Sequence, residues 1–365
     1  MSEAAQSDDR QEMFSGTKEV GDNHRFDETK LFDYLADTVE GFEGPLEVRE
    51  FKGGQSNPTY QLVTPKQKYV LRRKPPGKLL PSAHAVDREF RVISALADTN
   101  VPVPRAYTLC EDESVIGTMF YVMEMVDGRI LWDPLLPQET KENRGKIYDA
   151  MNDTIAKLHM VDHEKVGLGD FGKPGNYFAR QISRWSKQYR ASETETIEEM
   201  DKLMEWLPDN IPDEDSTSIV HGDYRLDNMV LHPTEPRVLA VLDWELSTLG
   251  HPLGDFTYHT MQWRMPGQGT GGGTGSLRHA DLESLGIPSF DDYVKMYCDR
   301  TGRDGIDNLD FYYAYNFMRL AGILQGIAGR VRDGTAASDH AKTMAANVRP
   351  LAEEGWLYAQ KAGAV

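Results

Sequence analysis

The sequence predicts an α+β chain of two lobes, a small one built on antiparallel strands and a larger one that is mainly helical. Three observations carry this. Residues 45–74 contain three short strand-like runs, PLEVREFK, TYQLV and KYVLRRK, broken by GGQSNP and TPKQ, which suits an antiparallel meander. Beyond Asp127-Gly128 the apolar residues fall at helical spacing: Ile147, Met151, Ile155 and Leu158 share one face, and residues 308–333 form a long helical stretch. Between those helices, HGDYRLDNMVLHP and VLAVLDWEL read as a loop followed by two short strands.

Residues 1–27 are polar and mixed in charge. They lack the basic start and apolar segment of a leader peptide, so a flexible N-terminal arm is expected. Residues 28–39 (ETKLFDYLADTV) have helical spacing and open the small lobe, expected over 28–126. After the meander, residues 82–98 return to helix, with Val86, Phe90, Ile93 and Ala97 on one stripe. VPVPRAYTL and FYVMEMV are strand candidates that close this lobe. The larger lobe is expected over 127–365, and the Gly-rich run at 266–275 is a loop by composition.

Length and composition narrow the function classes. A chain of 365 residues is long enough for two modest lobes, and no stretch reaches the ~18 apolar residues of a membrane span. The net charge of −18 opposes non-specific nucleic-acid binding, which relies on basic surface. Cys110 and Cys298 form no metal or redox motif, and with no leader the expected setting is cytoplasmic with free thiols. The partner expected is therefore a small molecule, with no nucleic acid and no membrane.

The chemistry is concentrated in residues 219–245. Asp223 and Asn228 are five positions apart, and Asp243 follows fifteen residues after Asn228, at the end of Val238–Leu242. Two strands joined by a turn would bring these ends together. Hard oxygen donors of this kind suit Mg²⁺, which keeps waters and bridges a nucleotide's phosphates. The remaining carboxylate, Asp223, would orient an attacking hydroxyl and accept its proton, which is most of what phosphoryl transfer needs.

HGDYRLDN followed by LDWE resembles the catalytic-loop and metal-binding segments of the aminoglycoside phosphotransferase and choline-kinase-like family, which has a protein-kinase-like fold. The resemblance runs from about Gly53 to the helices after residue 308. It implies Asp223 as catalytic base, Asn228 and Asp243 as metal ligands, and His221 and Asp255 as structural residues near the site, with ATP as co-substrate and Mg²⁺ as metal. His251 departs from the pattern, which commonly has an aspartate there. In the small lobe, Gly53, Gly54, Ser56 and Asn57 lie in a loop whose backbone would approach phosphates. Arg72 falls where kinases place a strand lysine, with Lys74 two residues on and facing the same side, and Glu89 is the candidate helix partner. Backbone groups at Glu124 and Met125 match the strand and hinge that receive adenine.

Within this family, WDPLLP (132–137) and VGLGDFGKPGNYFARQISRWSKQY (166–189) are similar to kinase-like domains associated with certain acyl-CoA dehydrogenases. That subgroup implies phosphoryl transfer to a hydroxyl of a hydroxyacyl-CoA-type substrate. A catalytically silent nucleotide- or acyl-CoA-binding module and an aminoglycoside-modifying kinase are the alternatives. Trp132, Trp185, Tyr189, Trp206, Tyr258 and Trp263 read as core or lobe packing in preference to a cage for a cationic substrate. GQGTGG at 267–272 follows no strand, and GRVRDGT at 329–335 lacks a P-loop lysine, so neither is taken as a nucleotide motif.

Overall fold

The computed structural model describes residues 16–52, 57–75, 84–266, 275–334 and 339–365. In chain order the first elements are β1 (Thr17–Lys18), α1 (Glu28–Thr38), β2 (Glu47–Phe51), β3 (Thr59–Val63), β4 (Lys68–Arg73), α2 (Val86–Leu96), β5 (Ala106–Cys110) and β6 (Phe120–Glu124). There follow α3 (Lys141–Met160), α4 (Tyr177–Ser192), α5 (Glu198–Trp206), β7 (Ser218–Val220), β8 (Met229–Leu231), β9 (Val238–Val241) and β10 (Thr248–Gly250). Helices α6 (Pro252–Thr260), α7 (Leu282–Leu285), α8 (Phe290–Thr301), α9 (Leu309–Arg332), α10 (Asp339–Ala345) and α11 (Val348–Lys361) complete the chain. It divides into two compact units, Met1–Trp132 with Leu226–Ser247, and Asp133–Arg225 with Thr248–Val365.

The first unit is organised by a six-stranded antiparallel sheet in the order β1-β2-β3-β4-β6-β5. Side chains alternate across it. Tyr69 and Leu71 of β4 join Tyr60, Leu62 and Val122 in a core closed by Leu31 and Leu35 of α1. Burying each such side chain stabilises the fold by about 1.5–3 kcal/mol. Asp27 caps α1 by accepting from the Thr29 and Lys30 amides, both at 3.1 Å. Val70 and Arg72 face the other way, toward the side covered by α2.

Three features differ from the sequence expectation. Residues 16–27 are not a loose arm: Thr17 and Lys18 pair with Phe51 and Glu50, and Glu50 accepts from the Gly21 amide at 3.0 Å. Helix α2 starts at Val86 and buries Val86, Glu89, Val92, Ile93 and Leu96, so its inner face takes in a carboxylate while Phe90 is only half-buried. Finally, Leu226–Ser247, placed in the larger lobe on sequence, clusters with the first unit. Its β8–β9 hairpin is bonded there through Arg129 N to Leu231 O (2.7 Å) and Val241 N to Pro102 O (2.9 Å).

The second unit is helical apart from the β7–β10 pair. Helix α9 matches the stretch expected at 308–333 and is buried along most of its length, packed by α11, α4 and α6. Ile147, Met151, Ile155 and Leu158 of α3 are all buried, as their spacing requires. Trp185, Tyr189, Tyr258 and Trp263 are core residues in this unit.

Candidate active site

In the first unit, β8 and β9 pair as an antiparallel hairpin. Met229 pairs with Val241, and the Leu242 amide donates to the Asn228 carbonyl at 2.8 Å, so Asn228 and Asp243 flank the open end of one ladder. Asp243 adopts a left-handed backbone (φ 65°, ψ 57°), a conformation that aspartate tolerates better than most residues.

Strand β4 brings the third member. Arg72 is buried, and its Nη2 lies 2.8 Å from Asp243 Oδ1 while its Nη1 lies 3.4 Å from Glu89 Oε2. One guanidinium thus joins the helix carboxylate to the hairpin carboxylate, a task suited to its rigid fork. Glu89 is fully buried and also accepts from Tyr121 Oη and Asn57 Nδ2, each at 3.1 Å. Burial, with a smaller contribution from the Asp243 and Glu245 charges, pushes its carboxyl up to about 7 against the opposing pull of Arg72. Burial alone would weaken the Arg72 charge, but Glu89 and Asp243 more than reverse that and raise its pKa.

The remaining residues named for this unit fall into place differently. Lys74 is part-exposed, 3.7 Å from Asp87, so Arg72 and not Lys74 makes the contact with Glu89. Asn57 is fully buried, and its amide donates to Glu89 and to Glu245, both at 3.1 Å. Glu124 ends β6, its amide bonded to the Arg105 carbonyl at 2.8 Å, and Met125 follows outside any strand. Gly53, Gly54 and Ser56 lie outside the described residues.

Asp223 belongs to the second unit, in the turn after β7. Asp255 of α6 organises that turn: its buried carboxylate accepts from the His221 amide (2.7 Å) and the Gly222 amide (2.8 Å) and lies 3.3 Å from His159 Nε2. Burial by itself would raise the Asp255 carboxyl, but His159 and the His221 and Gly222 segment hold it below the usual range. His221 is wholly buried, and its Nδ1 accepts from the Asp223 amide at 3.2 Å. Gly222 has φ 83°, which excludes most side chains at this bend. The Asp223 carboxylate, about one-fifth exposed, has Oδ1 at 2.7 Å from Tyr258 Oη and 3.2 Å from Arg225 Nε.

His251, the departure from the family pattern, caps α6: its Nδ1 accepts from the Leu253 amide at 3.2 Å. Only a neutral imidazole can do this, and burial pushes its pKa down to about 4. Tyr258, Arg225 and Arg319 are the site residues that motif reading does not single out. Tyr258 was legible in part, being three residues after Asp255 and so on the same helix face. Arg319, which reaches the Gly222 carbonyl from α9, leaves no sequence signal near the loop.

With this geometry in view, comparison with known proteins decides the family. The profile of the phosphotransferase enzyme family matches residues 47–297. The chain belongs to that family. A crystal structure from Ralstonia eutropha JMP134, of a protein provisionally named an aminoglycoside phosphotransferase, is 56% identical, with a TM-score of 0.85 over 92% of this chain and 99% of that one. Aminoglycoside phosphotransferase APH(4)-Ia, crystallised with AMP-PNP and hygromycin B, shares the protein-kinase-like fold at 15% identity, with a TM-score of 0.58 over 90% of this chain and 98% of that one. Among curated proteins, acyl-CoA dehydrogenase family member 10 of Mus musculus is 46% identical over 88% of this chain and 30% of its own length. Family member 11 of Gallus gallus is 44% identical over 93% of this chain and 44% of its own. The chain therefore spans less than half the length of these curated relatives.

The donor set fits the metal such phosphotransferases imply. Asn228 and Asp243 flank the Met229–Val241 pair at the end of the β8–β9 ladder, and an amide and a carboxylate are oxygen donors of the type Mg²⁺ accepts. No cluster of three or more His, Cys, Asp or Glu that could hold an ion occurs among the described residues. Two protein ligands completed by phosphate and water is the arrangement Mg²⁺ favours. Among the described residues no helix is long and apolar enough to cross a membrane.

Proposed function

We propose that this phosphotransferase moves the γ-phosphoryl group of ATP to a hydroxyl of a small molecule, of hydroxyacyl-CoA type. The observation that carries the reading is the Arg72 guanidinium joining Glu89 to Asp243, beside Asn228 on the same hairpin. Such an arrangement supplies a cation and oxygen donors of the kind a triphosphate and its metal use. Mg²⁺ held by Asn228 and Asp243 would neutralise charge on the phosphates. Asp223 serves as base. It orients the acceptor hydroxyl and takes its proton as the oxygen bonds to the γ-phosphorus and the bond to the bridging oxygen of ADP breaks. The acyl-CoA part of the reading rests on the curated relatives, whose names place them among acyl-CoA dehydrogenases.

The test is mass spectrometry of hydroxyacyl-CoAs, free hydroxy acids and aminoglycosides incubated with enzyme, MgATP and ADP detection. A hydroxyacyl-CoA is expected to gain one phosphoryl group, and Asp223→Asn to abolish the gain. Saturable nucleotide binding with no transfer to any acceptor would sink the reading in favour of a silent binding module. Transfer confined to aminoglycosides would replace the acceptor.

A further inference from the structure

We infer that Tyr258 is a positioning residue for phosphoryl transfer, its phenol fixing the orientation of the Asp223 carboxylate. The inference rests on the reading of Asp223 as base and adds a residue to it. Three contacts carry it. The Tyr258 hydroxyl donates to Asp223 Oδ1 at 2.7 Å, a short bond of the charge-assisted kind. The ring is held in turn by Arg319, whose guanidinium lies 4.6 Å from its centroid and also donates to the Gly222 carbonyl. Asp255, one helical turn before Tyr258 on α6, grips the amides of His221 and Gly222. A single helix face therefore sets both the backbone of the turn and the carboxylate it presents.

The arrangement has a directional consequence. Arg225 on its own turn and Arg319 from α9 are charged groups that face Asp223 within its unit, with Tyr258 from α6 and His221 bonded to its amide. Burial and the Asp223 charge keep the phenol protonated, so Tyr258 is a donor throughout the working pH range. Removing the phenol hydroxyl takes away this bond and frees the Asp223 carboxylate to rotate.

The experiment is steady-state turnover of the full chain with MgATP and water as acceptor. In Tyr258→Phe kcat is expected to fall about tenfold and the nucleotide KM to change less than about twofold, because a carboxylate free to rotate spends less time aligned. Replacing Tyr258 by 3,5-difluorotyrosine, which keeps the hydroxyl donor and nearly the same shape, should hold kcat within about threefold of the wild type. About a tenfold loss in this variant with its fold intact overturns the inference, and the variant serves if the phenylalanine one does not fold. Wild-type kcat in Tyr258→Phe also overturns it, including when the melting temperature drops, since Tyr258 would then only support packing. If kcat falls but Asp223→Asn keeps full turnover, the assignment of the base fails and with it the catalytic part of the inference. If Asp223→Asn is inactive and Tyr258→Phe keeps wild-type kcat, the inference alone fails.

Discussion

Arg72 is the residue on which the first unit's chemistry turns, and it is where sequence reading stopped at two candidates. The β4 pattern put Arg72 and Lys74 on one side of the strand, but only packing decides which reaches a helix carboxylate. Burial of Glu89 decides it, since a carboxylate so enclosed requires a cation equally enclosed. Removing one member of such a pair leaves the other uncompensated. Arg72→Met is expected to destabilise the protein by about 3–5 kcal/mol, and the Arg72→Met/Glu89→Met double variant to recover part of that loss. Urea denaturation of the two singles and the double checks this, and strict additivity would contradict it.

At the scale of an element, α6 shows how a departure from a family pattern is absorbed. The residue before this helix must accept a hydrogen bond, and neutral His251 does so where an aspartate is common. His251→Asp should keep the cap and change stability little, whereas His251→Ala should cost about 1 kcal/mol in thermal or chemical denaturation. At β10 the constraint is space. A Cβ on Gly250 would stand 2.7 Å from the Tyr177 ring and 2.8 Å from Val220, so Gly250→Ala is expected to cost about 1–3 kcal/mol by overpacking. Elements with strong periodicity, such as α9, were legible to within a residue or two. Helix α2 was legible in existence but not in the rotation of its face, because a buried carboxylate breaks the hydrophobic pattern that rotation is read from.

For the whole molecule, protonation couples opposing terms. Burial pushes His251 and His259 down to about 4, so the stability they contribute is present above about pH 6.5 and is lost as pH falls toward 4. Glu89, raised to about 7, works in the other direction: its contribution is present below about pH 4.5 and is lost as pH rises through 7. Glu89→Gln removes that counterweight. Its stability should fall more steeply than the wild type's between pH 6.5 and 4.5, and parallel curves from denaturant melts across this range would refute the coupling. Nucleotide binding adds a separate term. MgATP at 100 times its Kd should stabilise the wild type by about 2.7 kcal/mol and lose most of that effect in Asp243→Ala. The two-unit plan was legible because strand and helix periods segregate along the chain. The allegiance of residues 226–247 was not, because it depends on hydrogen bonds to Pro102 and Arg129, more than a hundred residues upstream.

That allegiance has a consequence for how the protein is made. As the chain leaves the ribosome, everything through Arg225 emerges before the hairpin that belongs with the first sheet. The nascent chain must wait for Val241 before Pro102 finds its partner, so the first unit cannot be completed in the order in which it is translated.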